Sequence, residues 1–183
     1  MKKHLQDSKL PRMTYEKLEV ELSPWSDQDL LEALDSRSIK IGDTAASLLS
    51  RRKRYPEVRE AVLSGRITTK LGKIRSTNIL CRLGKSWERA KEVYLHLIWD
   101  KNAEVAGNAT FPLVFWQDKS VIPAIREAVE CAPPGSRIRG RFLTAIEALE
   151  KQDPFIYSDG FHDMWDTWKL DPKRFADRIG PIP

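Results

Sequence analysis

Four short apolar stretches, opening at Ile41, Ile74, Val105 and Ile138, superimpose on one another at offsets of 33, 31 and 33 residues. Each begins with a β-branched residue and repeats its pattern four, seven and eight positions on. The sets are Ile41/Ala45/Leu48/Leu49, Ile74/Asn78/Cys81/Arg82, Val105/Ala109/Pro112/Leu113 and Ile138/Phe142/Ala145/Ile146. The second fits worst, because Asn78 and Arg82 interrupt it, although Ile79, Leu80 and Leu83 supply apolar neighbours. Spacings of four, seven and eight trace one face of a helix. Self-similarity at this period marks helical units that bury that face only against the next unit. Such a stack presents a surface, so binding is a nearer expectation than chemistry.

The intervening chain supplies the partner helices. Ser26 precedes Asp27 and Asp29, a serine cap with acids in the first turn where the helix dipole favours them. Ser38 is positioned to cap the helix through Ile41 and Leu49, which ends in the run Arg51-Arg52-Lys53-Arg54. A helix from Pro56 is expected to stop at Gly65, and Thr68 or Thr69 to cap the next, closed by Gly84. Ser86 caps a helix through Leu97, Ser120 one from Val121 to Cys131, and Ser136 one running to Lys151. A weaker helix covers Tyr15 to Leu22 and ends at Ser23-Pro24. No alternating segment reads as a strand, so the fold is expected to be all-α. Residues 1–25 are read as an N-terminal extension, 26–151 as the repeat array and 152–183 as an aromatic cap and tail.

Asp100, then Val105 opening a helix with Ala in its middle, then Ile122-Pro123-Ala124-Ile125 leading the next, together with Ile74-Arg75 and Ile138-Arg139, resemble a HEAT-type repeat. The shorter form found in phycobilisome-lyase-like bacterial proteins is the nearer likeness. The resemblance implies a right-handed α-α superhelix of about four helix pairs whose second helices line a concave side. It also implies that Arg75 and Arg139 pair with an Asp across repeats and hold the stack in register.

Charge is divided unevenly between the two helix sets. The second helices with their approach turns, 38–54, 70–85, 104–119 and 137–151, hold the excess of Lys and Arg, whereas the first helices are acidic on balance. A positive concave groove would concentrate an anionic partner. The candidate contacts are Arg51, Arg52, Arg54, Lys70, Lys73, Arg82 and Lys85, with Trp116 as an aromatic anchor. The cluster Arg137/Arg139/Arg141, at spacing two, cannot share one helix face, which puts at least one at the turn. Pro112, inside a helical stretch, is read as a kink.

Chemistry finds little footing. His4, His96 and His162 are scattered, no CxxC or HExxH occurs, and Gly72, Gly84 and Gly107 stand alone, so neither metal nor cofactor is expected. An alternative comes from the HEAT-like alkylpurine DNA glycosylases, which cradle DNA with Trp, Asp and Arg. Trp99-Asp100, Trp116-Gln117-Asp118 and Arg139 are the residues offered here, and DNA or RNA is the rival partner class. The favoured expectation is a non-enzymatic module holding an acidic protein, as an adaptor or an immunity or antitoxin-like inhibitor of bacterial type.

Met1 to Asp7 is basic with no apolar stretch behind it, and the longest uncharged run, Val105 to Gln117, is too short to span a bilayer. Cys81 and Cys131 lie in apolar patterns and read as buried free thiols of a cytoplasmic protein. Phe155 to Gly160 reads as a turn. After it Phe161, Trp165 and Trp168 fall at i, i+4 and i+7, a helix face suited to covering the end of a stack.

Overall fold

Side-chain caps set the helix starts. In the computed structural model, which describes residues 10–86 and 88–158, Thr14, Ser26, Ser38, Thr69, Asn102 and Ser136 each accept a hydrogen bond from a backbone N–H of the first helical turn. That satisfies donors which an unextended helix leaves without partners. Five of these open the helices α1 (Tyr15–Leu22), α2 (Asp27–Ala33), α3 (Ile39–Arg51), α5 (Lys70–Leu80) and α9 (Arg137–Lys151). Asn102 opens α7 (Ala103–Phe115). α4 (Tyr55–Leu63) and α8 (Ile122–Cys131) begin with Pro in the first turn. α6 (Glu88–Leu97) and the short α10 (Phe155–Ser158) complete the set. All secondary structure among the described residues is helical.

The chain divides into two compact units, residues 1–83 and 84–183. In the first, α1, α2 and α5 pack on α3, and α4 packs on α5. Leu18, Leu22, Leu30, Leu34, Leu49, Ile79 and Leu80 lie in its fully buried core. In the second, α6 and α9 pack on α7, and α8 and α10 pack on α9. Its core includes Tyr94, Leu97, Leu113, Ile125 and Leu149. Each unit therefore holds two helical hairpins whose second helices lie against each other.

Within the first unit the repeat offset is visible as contact. Asp35 accepts from Thr68 and Thr69, Asp43 from Arg75, and Ser50 from Arg82, pairs separated by 32 to 34 residues. α3 and α5 thus run parallel, one module out of step.

Several expectations need correction. Ser120 does not cap α8; Asp118 caps a 3-10 turn, Lys119–Val121, that precedes it. A short turn intervenes because Ser120 Oγ is already bound to Lys91. Phe155–Ser158 is helical, since the left-handed Gln152 (φ 55°) ends α9 and redirects the chain. The buried face of α5 is Gly72, Arg75, Ser76, Thr77, Ile79 and Leu80, while Asn78 and Arg82 are exposed and Ile74 is half-buried. The apolar pattern is displaced there because a buried arginine takes the place of an aliphatic residue. Cys131 is exposed and Cys81 half-buried, and neither forms a disulfide. α7 continues through Pro112. No helix among the described residues is long and apolar enough to cross a membrane. Phe161, Trp165 and Trp168 lie outside the described residues.

Candidate binding surface

The basic residues singled out by sequence separate into two groups at opposite ends of α3 and α5. Arg51, Arg52 and Arg54 stand at the C-terminal end of α3, and Arg82 joins them from the end of α5 by donating to Ser50 Oγ at 3.4 Å. Lys70 and Lys73 stand in the first turn of α5. Twelve residues separate Lys70 from Arg82, roughly 18 Å along a helix axis.

The C-terminal group is occupied with holding the fold. Arg52 Nη1 donates to Trp25 O at 2.9 Å and to Asp27 Oδ1 at 2.7 Å, and its Nη2 donates to Ser23 O at 2.5 Å. It therefore clasps the turn between α1 and α2. Arg54 Nε meets Asp27 Oδ2 at 2.6 Å, and its Nη1 lies 3.6 Å from Glu57. Arg51 pairs with Glu19 at 2.7 Å. Their hydrogen bond pulls the Glu19 carboxyl below its ordinary pKa and pushes the Arg51 guanidinium above its own. Three carboxylates, Glu19, Asp27 and Glu57, thus face Arg51, Arg52 and Arg54.

The start of α5 carries the other group. Lys70 is exposed and Lys73 half-buried, one turn apart, while Thr68 and Thr69 just before them bind Asp35 through both backbone and side chain. Asp35 lies in the α2–α3 turn, so exposed Arg37 and the first turn of α3, with Lys40, belong to the same end of the unit. Lys40 Nζ donates to Met13 O at 3.2 Å. Neither α3 nor α5 has an acid in its first turn, whereas α1, α2 and α4 all do.

Arg75 lies among these residues but is not part of the surface. Only 5% exposed, it directs all five guanidinium N–H groups inward. Nε donates to Asp43 Oδ1 at 2.9 Å, Nη1 to Leu34 O and Ser36 O, and Nη2 to Ser38 O and Ile39 O. The guanidinium lies against Gly42, where an added Cβ would come within 2.1 Å of Cζ. The expected Arg–Asp pair is therefore present at this position.

At Arg139 it is not: Nη1 binds Val129 O at 2.6 Å and Ala132 O at 3.2 Å, closing the end of α8 within its own hairpin. The counterpart of Arg75 is Arg141, whose Nη1 lies 2.1 Å from a Cβ built on Gly107 of α7. Arg137, Arg139 and Arg141 all fall inside α9, so none sits at the turn. The signal overlooked in the sequence was a glycine 33 or 34 residues before an arginine, Gly42 to Arg75 and Gly107 to Arg141.

Trp116 caps the C-terminal end of α7, half-buried, with its ring edge-on to Phe115 at 5.3 Å. Phe115 in turn stacks on Phe111 at 6.0 Å. Trp116 and the Lys70/Lys73 pair belong to different units. The side chain of Lys85 lies outside the described residues.

The residues offered for base excision have local duties. Asp100 Oδ1 accepts from Asn102 N at 2.8 Å in the turn before α7. Asp118 accepts from Lys91 Nζ and from Ser120 N, tying α6 to the α7–α8 turn. Burial works to raise the Asp118 carboxyl, but hydrogen bonds from Lys91 and Ser120 outweigh it and hold its pKa below the usual value. Asp118 stands before α8 and Arg139 reaches the far end of that helix, ten residues or roughly 15 Å away. Among the described residues no cluster of three or more His, Cys, Asp or Glu is placed to hold a metal ion.

A scan of protein-family models, a search of curated proteins and a search of solved structures each find no match to this chain.

Proposed function

We propose that the chain is a short HEAT-like α-solenoid and a non-enzymatic binding module, which holds an acidic protein through the end of the first unit that carries Lys70 and Lys73. An adaptor, or an inhibitor in the manner of an immunity protein or antitoxin, fits such a surface.

One observation carries this reading. α3 and α5 start side by side with Lys40, Lys70 and Lys73 in their first turns and no acid. Cations at a helix N-terminus oppose the macrodipole, at a cost of about 0.3–1 kcal/mol each. The dipole therefore does not favour them there, and helix ends and side chains together give this end of the unit a positive field that suits an anionic partner. The 32-to-34-residue contact step within the unit supports the repeat reading.

Affinity capture from cells that make the protein tests the proposal, with wild type, Lys70→Glu/Lys73→Glu and a Lys119→Glu control compared species by species. The expected result is an acidic protein whose retention falls at least about tenfold, some 1.4 kcal/mol, in the double variant and holds in the control. Equal retention by all three proteins removes the proposal. Titration with a short DNA duplex at two salt concentrations separates the rival class, since phosphate contacts predict tight binding that falls steeply with salt.

A further inference from the structure

Two isoleucines of the first unit do not turn inward as the apolar residues of the repeat otherwise do. Ile39, in the first turn of α3, is 62% exposed. Ile74 opens its repeat as Ile41 and Val105 open theirs, yet it is half-buried where those two are buried. The cause lies in α5: Arg75 takes the inward position, and Lys70, Ile74 and Asn78, at steps of four, form a strip turned toward the outside. A β-branched residue in an open helical turn gains little from packing and adds little to helix propensity.

Both belong to one end of the unit. Arg75 Nη2 donates to Ile39 O at 3.3 Å, so the first turns of α3 and α5 stand side by side. Arg37, Lys40, Lys70 and Lys73 share that end. Its carboxylates, Asp35 and Asp43, are met by Thr68, Thr69 and Arg75 from within the fold. The end therefore joins open aliphatic surface to an excess of cations. A phosphate backbone would use only the cations, because its contacts are electrostatic. Protein interfaces, by contrast, set apolar contacts inside a polar and charged rim. Aliphatic contacts among cations thus select within the anionic class, and they favour a protein over a nucleic acid.

We propose that this end recognises an acidic segment carrying large aliphatic side chains among its carboxylates, with Ile39 and Ile74 as the apolar contacts and Lys70 and Lys73 as the charged ones. The inference rests on the acidic-partner reading and adds a requirement to it. Charge speeds the encounter, and aliphatic contact decides which acidic chain is held.

Two glutamate-rich peptides of equal length and charge serve as probes, one with leucines at helical spacing and the other with serines in their place. Fluorescence anisotropy measures their binding to the full chain as wild type, Ile39→Ala, Ile74→Ala and Lys70→Glu/Lys73→Glu, with helical circular dichroism checked for each. Ile39, exposed in a first turn, can be shortened without loss of core. Wild type is expected to bind the leucine peptide about tenfold more tightly than the serine peptide. Ile39→Ala or Ile74→Ala should narrow that ratio to less than about threefold with the serine peptide unaffected, whereas the lysine variant should weaken both peptides together. Equal affinity of wild type for the two peptides, or a ratio that both isoleucine variants preserve, overturns the inference. The acidic-partner reading survives that result if the lysine variant still loses both peptides. Absence of binding to either peptide also overturns the inference, and cellular capture by the lysine variant then decides the reading itself.

Discussion

At position 42 a single hydrogen atom allows two helices to lie side by side. Gly42→Ala would drive a methyl group into the Arg75 guanidinium, which cannot yield because all five of its N–H groups are engaged. Overpacking against a fixed buried ion is expected to cost about 2–3 kcal/mol, read as a lower denaturant midpoint at unchanged slope. Arg75→Lys does not recover the site, since an ammonium cannot reproduce a planar fork that reaches five acceptors. Tyr157 offers a second residue-scale test. Burial holds its hydroxyl well above the ordinary value of 10.0, against the opposing pull of Arg141 and Thr110. Above that value the unfolded tyrosine releases its proton while the folded one keeps it. Stability is then full below about pH 10 and declines as pH rises further. Denaturant midpoints compared between about pH 9 and about pH 11 should fall for the native chain, with a shallower fall for Tyr157→Phe.

Where helices join, polar side chains decide the geometry. Lys91 on α6 binds both Asp118 and Ser120 in the turn between α7 and α8. Lys91→Met is expected to cost roughly 1–2 kcal/mol at neutral pH. Because the folded Asp118 carboxyl sits below its ordinary value of 3.8, its contribution is complete above that value and is lost as pH falls through the lower folded one. Native and Lys91→Met proteins should therefore converge in acid, and an undiminished gap at low pH would assign the loss to packing. The caps at Ser26, Ser38, Thr69 and Ser136, and the stop at Gly65, were legible because each acts on a backbone group within a few residues. The Arg75–Gly42 and Arg141–Gly107 contacts were not, since neither a glycine nor an arginine alone marks a buried meeting point. Ser120 misled for a related reason: its hydroxyl serves a lysine 29 residues away in place of the nearest N–H. The all-helical class was legible in the period itself.

Taken as a whole, the chain carries a net charge of +5, yet the distribution matters more than the total. Arg51, Arg52 and Arg54 form the densest basic run and spend it on Glu19, Asp27 and Glu57, a pairing that composition does not reveal. Lys70 and Lys73 occupy helix starts where they oppose the local dipole, so partner capture should slow with added salt as steering is screened. Association rates at two ionic strengths check this, and a salt-independent rate would leave the lysines without a role in encounter.

The contacts that join α3 to α5 recur at a constant step of 32 to 34 residues. Deleting a few residues between them would unhook every rung at once, whereas inserting a complete helical hairpin would leave each rung intact. Relatives of this protein should therefore differ in length by whole copies of the hairpin, and short insertions should collect outside the ladder.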